Sequence, residues 1–347
     1  MRRFSPAAAL AGGAVLAQVL AGCTAAPGGS FPPGGVPPAP VATGAAAAPA
    51  VPARCAGPPT VTGADELAEA LRGVRPGAVV VLAPGLYPGR FTAAVPATAD
   101  APVTVCGGRD AVLDGGPVDD GYTLHLDGAD HWRLAGFSVR GGQKGVVVDR
   151  SQHVVVDGLA VTDVGDEAVH LRAYSADGVV TRTVVRRTGR NEPRFGEGVY
   201  VGSAVSNWCR WSGCGPDRSD RARIEDNDIA DTTAEAVDVK EGTTGGVLRG
   251  NRFDGAGTTD ADSWVDVKGN GWTVAGNHGA RAPEDGFQVH VVEPGWGRDT
   301  RFTANTAAVD AAGHGFAVDD EATGTVVGCD NVVTGAAGGL STLPCSG

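Results

Sequence analysis

Four residues raise the question of chemistry. Asp238 and Lys240 stand two apart in Val237-Asp238-Val239-Lys240, and Asp266 and Lys268 repeat the pattern in Val265-Asp266-Val267-Lys268. With the valines turned inward on a strand, both carboxylates and both amines face outward. If the two runs are neighbouring strands, about 4.8 Å apart, Asp238 lies on Asp266 and Lys240 on Lys268. Like charges stacked at that spacing repel, an odd choice for a surface that only needs solubility. One lysine beside another is expected to lower the pKa of the first, which makes Lys240 a candidate base and Lys268 its helper. A column of carboxylates attracts a divalent cation such as Ca²⁺, with Glu235, Asp238 and Asp266 as candidate ligands. The two aspartates could also serve as the carboxylate pair of a glycoside hydrolase.

These runs belong to a repeat. The pentads Lys144–Val148, Glu167–Leu171, Glu197–Val201, Glu235–Val239, Ser263–Val267, Asp285–Val289 and His314–Val318 are apolar at their third and fifth positions and mostly polar at the fourth. Period two marks a strand with one buried face. Most intervals are 22 to 30 residues, the length of one coil of a solenoid. Asn227, Asn251, Asn277, Asn305 and Asn331 recur at intervals of 24, 26, 28 and 26, which predicts an amide ladder at one corner. Coils on either side of the four residues add outward His170 and Arg172 before them, and Gln288 and His290 after them. Glu167, Glu197, Glu235 and Asp285 line up where the strands begin. One interval stretches to 38 residues, between Val199 and Val237, because residues 203–218 are inserted there. That insertion carries Trp208, Arg210 and Trp211 between and beside Cys209 and Cys214, a sugar-stacking, anion-binding wall if it borders a groove. The expected substrate-binding residues are therefore Arg172, Trp208, Arg210, Trp211, Gln288 and His290. Residues 62–71 predict a short amphipathic helix capped through Thr62 and Asp65, suited to closing the open end of the core.

The whole of residues 60–345 resembles the right-handed parallel β-helix of pectate-lyase-like proteins. The fold expected is thus all-β: a single right-handed parallel β-helix domain with a short N-terminal capping helix. Within it, Thr233-Ala234-Glu235-Ala236-Val237-Asp238-Val239-Lys240, followed by Arg249-Gly250-Asn251-Arg252-Phe253, resembles the signature of the alginate lyase and chondroitinase-B family. That resemblance implies β-elimination on a uronate-containing glycan, with Lys240 as base and Glu235 as a calcium ligand. The chain departs from it twice: Thr233 stands where the family has its first Glu, and Lys268 where it has an assisting Arg. Gly313-His314-Gly315 matches one element of the polygalacturonase series, but the rest is missing. A glycan-binding β-helix without activity is the remaining alternative.

The ends of the chain speak to location. Arg2 and Arg3, the apolar stretch from Ala7 to Leu20, and Leu20-Ala21-Gly22-Cys23 resemble a bacterial lipoprotein signal, residues 1–22, with lipidation at Cys23. Residues 23–53, rich in Ala, Pro and Gly, read as a linker, and residues 54–347 as the folded domain. The expectation is an exported, lipid-anchored monomer on the outer face of the cell membrane. Setting Cys23 aside leaves Cys55, Cys106, Cys209, Cys214, Cys329 and Cys345. An even count in an exported chain predicts disulfides, and Cys55–Cys106, Cys209–Cys214 and Cys329–Cys345 are favoured among fifteen pairings. A formal charge of −12 argues against nucleic acid as partner and is compatible with divalent cations and with a cell-surface location.

Overall fold

The computed structural model describes Cys55 and residues 57–347. The signal, the linker and the lipidation site at Cys23 lie outside the described residues.

Short runs rich in valine, each broken by a glycine or a left-handed corner, give strands of two to six residues. Each coil donates one strand to each of three parallel sheets, and each sheet holds ten strands. The result is a right-handed parallel β-helix. Corners make the short strands: the apolar stretch from Leu134 to Val139 is two strands, Trp132–Ala135 and Ser138–Arg140, hinged at Gly136 with φ +84°.

The inward pentad positions stack as one column through the core. Val146, Val169, Val199, Val237, Val265, Phe287 and Phe316 pair in succession and are all buried. Aromatic rings take over towards the C-terminus. Phe287 stacks on Phe316 at 5.2 Å and receives the edge of Trp264 at 5.7 Å. Gly279 makes room for that indole, because a Cβ there would lie 2.2 Å from the ring.

The asparagine ladder forms as the spacing predicts. Asn251 Oδ1 accepts from the backbone N–H of Asn227 at 3.0 Å and from its side-chain amide at 2.9 Å. Asn277, Asn305 and Asn331 repeat the arrangement coil by coil. Each amide also donates to a carbonyl of the preceding coil, as Asn277 does to Leu248 at 3.1 Å.

Helix Ala64–Gly73 covers the first coil with buried Leu67 and Leu71. Its cap differs from expectation. Gly63 occupies the N-cap, so the third helical residue is Glu66, and its carboxylate receives the Thr62 N–H at 2.7 Å and hydroxyl at 2.9 Å. Asp65, one residue early, cannot reach back. The disulfides join Cys55 to Cys106, Cys209 to Cys214 and Cys329 to Cys345. No described helix is long and apolar enough to cross a membrane.

Candidate active site

The third sheet carries the site on its outer face. Strands Val169–Arg172, Val199–Val201, Val237–Val239 and Ser263–Val267 lie in order, and alternation turns His170, Tyr200, Asp238 and Asp266 outward in one row. Asp238 does sit opposite Asp266. A cavity of about 300 Å³ opens over the first half of this row. Its floor is Tyr122, Lys144, Glu167, His170, Arg172 and Tyr200. Phe195 and the insertion residues Arg210 and Trp211 enter from opposite ends of strand Val199–Val201 and form its walls.

Ion pairs thread the floor. Asp149 receives Arg172 through two bonds, 2.6 and 3.0 Å, and lies 2.9 Å from His125 Nε2. Arg172 also donates to the Tyr122 hydroxyl at 3.0 Å, and its guanidinium lies 3.6 Å from the centre of the Trp211 ring. Lys144 pairs with Glu167. Further along, Asp238 holds two amines: Lys240 Nζ at 2.5 Å and Lys268 Nζ at 2.9 Å. Lys268 is shared with Asp266 at 2.5 Å, and His290 Nδ1 completes the chain 2.9 Å from Asp266. Tyr200 joins the two halves. Its ring lies 4.4 Å from the His170 ring and 5.0 Å from Lys240 Nζ.

Three comparisons place this architecture. The sequence matches no protein-family model and no curated protein. Among solved structures, an alginate lyase from Paenibacillus sp. str. FPU-7 superposes with a TM-score of 0.77 at 35% identity, over 83% of this chain and 98% of that one. The chain belongs to the family of that polysaccharide lyase. Two more distant structures also match, and the first of them shares the fold: a tailspike enzyme domain of bacteriophage CBA120, and pectate lyase Pel9A. The first has a TM-score of 0.56 at 8% identity, over 78% of this chain and 40% of that one. The second has a TM-score of 0.46 at 15% identity, over 74% and 72%.

Within this lyase family frame, the protonation states differ from those expected of stacked lysines. Lys240 does not have a lowered pKa. Burial favours its neutral form, but the Asp238 carboxylate in contact outweighs burial and holds the amine charged. Lys268 is pushed up in the same way by Asp238 and Asp266, in spite of its burial and of Lys240. The mutual repulsion of the lysines is real, but an aspartate lies between them at much shorter range. With Asp238 in contact, Lys240 is held as an ammonium, the opposite of the lowered pKa expected of it.

Other groups have the opposite character. Burial, then Asp238 and Glu197, push the Tyr200 phenol well above its usual 10. Burial lowers His170 below its usual 6.5, in spite of Glu167 beside it. Its Nε2 lies 3.0 Å from the Gly202 carbonyl, which fixes the proton there, and its Nδ1 faces Glu167 Oε1 at 3.3 Å. Neither His170 nor Tyr200 was singled out as catalytic by the lysine argument, yet both occupy the fourth pentad position, so the same alternation placed them outward.

Two of the three expected calcium ligands are already engaged. Glu197, Glu235 and Asp238 offer oxygens within 4.8 Å of one another. Both oxygens of Asp238, however, are already held by lysine ammonium groups, and Asp266 is held by Lys268 and His290. A dication needs six to eight oxygens and would sit against two fixed positive charges. The remaining carboxylates have no such partner. Burial and the neighbouring Glu167 and Asp238 raise Glu197 well above 4.5, and burial and Asp238 raise Glu235 to about 7. Of the expected calcium ligands, Asp238 and Asp266 are thus balanced by lysine and histidine, and Glu235 lies with Glu197 in an acidic cluster.

The expected binding residues divide as well. Arg172, Arg210 and Trp211 line the cavity. Trp208 is buried and donates to the Ser203 carbonyl at 2.9 Å, so it anchors the insertion from within. Gln288 is buried and bonded to Asp285, and His290 is spent on Asp266; neither lines the cavity.

Proposed function

We propose that this chain cleaves an anionic, uronate-containing glycan of the alginate type by β-elimination, with His170, Tyr200 and Lys240 at the centre. The observation that carries the reading is their juxtaposition: a neutral imidazole and a neutral phenol in contact on one strand row lining the cavity, with a fixed ammonium 5.0 Å behind the phenol ring. The C5 proton of a uronate is weakly acidic while its carboxylate is ionised. The Lys240 ammonium stabilises the charge that builds on that carboxylate as the proton leaves. His170, neutral at physiological pH, accepts the C5 proton at Nδ1, where Glu167 Oε1 at 3.3 Å balances the imidazolium that forms, and the Tyr200 phenol supplies a proton to the departing glycosidic oxygen. The family's alginate lyase supports the substrate class. Asp238 and Asp266 are poor hydrolase carboxylates, since each is tied to Lys268.

The test is a screen of the domain from residue 54 onward on alginate, pectate and chondroitin, read by the near-ultraviolet absorbance of unsaturated product. Tyr200→Phe should lower turnover by roughly 10²- to 10⁴-fold with the fold intact. New reducing ends without that absorbance would make the protein a hydrolase, and no product of either kind would leave a binding protein.

We further propose the location that the N-terminal sequence suggests: an exported monomer held at the outer face of the membrane by a lipid on Cys23. Cys23→Ala should shift the protein from the membrane fraction to the soluble fraction; unchanged attachment would sink the idea.

A further inference from the structure

The cavity contains three cationic side chains, and two are already neutralised. Lys144 is paired with Glu167 and Arg172 with Asp149. Arg210 is the third. Among the described residues it makes no ion pair and no side-chain hydrogen bond, and its guanidinium lies 4.7 Å from the centre of the Trp211 ring. A guanidinium with all its donors free, on the wall of a cavity, is built to receive an anion.

Its surroundings hold it there. Arg210 and Trp211 sit inside the small ring closed by the Cys209–Cys214 disulfide. Trp211 packs on Arg172, which is itself buried and fixed by Asp149. The next residue, Ser212, accepts a bond from the Tyr174 hydroxyl at 2.7 Å through its carbonyl. Asp217, at the far end of the insertion, receives the backbone N–H groups of Ala173 and Tyr174 at 2.8 and 2.9 Å. The free cation is thus mounted on a turn that is pinned at several points to the coil beneath. An exposed arginine on a loose loop would lose its binding energy to the entropy of being ordered; this one is ordered in advance.

We infer that the turn Cys209–Cys214 is a carboxylate-reading subsite, in which Arg210 receives the carboxylate of a uronate neighbouring the one cleaved, and that the disulfide is its positioning device. The inference rests on the lyase reading for its substrate but not for its geometry. The site selects for polymers with a carboxylate on consecutive sugars, and Trp211 supplies an apolar face beside the guanidinium.

The experiment compares wild type, Arg210→Ala, Arg210→Lys, the pair Cys209→Ser with Cys214→Ser, and the combination of that pair with Arg210→Ala. Each is assayed on oligomannuronate and on the same oligomer with its carboxylates reduced to alcohols at non-reacting positions. Arg210→Ala should raise KM for the charged oligomer by about tenfold to a hundredfold, with kcat little changed. It should leave KM for the reduced oligomer unaltered. Arg210→Lys should recover part of the loss, since it keeps the charge and loses the fork. Removing the disulfide should raise KM in the wild type and add little in the Arg210→Ala background, because both act through one contact. An unchanged KM in Arg210→Ala, or an equal change on both oligomers, would overturn the subsite. Additive effects of the disulfide and Arg210→Ala would overturn the positioning role. If the wild type eliminates no uronate at all, the lyase reading fails instead. Calorimetric binding of the charged oligomer to wild type and Arg210→Ala then still decides the subsite: weaker binding by the variant supports it, and equal or absent binding overturns it.

Discussion

The β-helix carries two ladders of repeated polar side chains, and they solve the same problem differently. At one corner, Asn227 to Asn331 stack amide on amide, and every rung is chemically identical. On the outer face of the third sheet, carboxylates stack at the same coil spacing, and no two rungs are alike. The reason lies in the groups. A primary amide donates and accepts, so a column of amides satisfies itself. A carboxylate only accepts, so a column of them needs something between the rungs. Asp238 takes Lys240 from its own strand and Lys268 from the next coil; Asp266 takes Lys268 and His290. At Glu197 and Glu235 the supply of counter-charges ends, and protons take their place. The self-complementary ladder is structure. The ladder whose compensation is incomplete adjoins the cavity.

This difference can be broken most severely at Asp238. Asp238→Ala takes from Lys240 its carboxylate partner, while Lys268 keeps Asp266. Leaving the largely buried Lys240 ammonium unpaired should cost about 3 kcal/mol in stability, read as a lowered denaturation midpoint. A loss below about 1 kcal/mol would mean that Lys240 reaches water when released, and that the row is a solvated wall.

The amide ladder should break more gently. Asn277→Ala strands the backbone N–H of Asn251 and the carbonyl of Leu248, and takes one of the two bonds of the Asn251 side-chain amide. Leaving these buried groups unpaired should cost about 2–3 kcal/mol, and turnover should hardly change, because no ladder residue lines the cavity. A large fall in kcat at unchanged stability would contradict the division of labour between the two ladders.

The amide ladder was legible in the sequence because nothing but spacing is needed to specify it. The row of His170, Tyr200, Asp238 and Asp266 was equally legible, since alternation fixes which residues face outward and the pentads fix their register. What alternation could not give is where long side chains end. Lys240 and Lys268 stack as expected at their Cα atoms, but their flexible stems carry the ammonium groups onto Asp238, and this inverts the pKa argument built on lysine beside lysine. The insertion was visible as an irregular interval, and its role as a cavity wall was a fair expectation for Arg210 and Trp211. Trp208 could not be told from Trp211 by type, because only the turn of the short helix Trp208–Trp211 decides which indole is buried. Tyr122 lies one coil before the first pentad and Asp149 just past its end, and neither carried a motif; they reach the site because the solenoid stacks those coils against it.

The smallest effect sharpens the comparison where proton replaces counter-ion. Glu235 has its pKa raised from 4.5 to about 7, first by burial and then by Asp238. A carboxyl whose folded pKa is raised binds its proton more tightly folded than unfolded. Its contribution to stability is then fully present below about 4.5 and is lost as pH rises through about 7. Glu235→Gln keeps a neutral group of similar shape at every pH. The variant should therefore match the wild type near pH 4 in thermal unfolding and surpass it by about pH 8, once the wild-type carboxyl has lost its proton. A gain that is constant across this range would mean that packing, and not the proton, distinguishes the two side chains. Calcium separates the remaining explanation. If a dication compensated Glu235 in place of the proton, millimolar calcium at the upper pH would raise the wild-type melting temperature and leave the variant behind. With Asp238 already occupied by two lysines, calcium should shift neither protein, and the advantage of Glu235→Gln should persist.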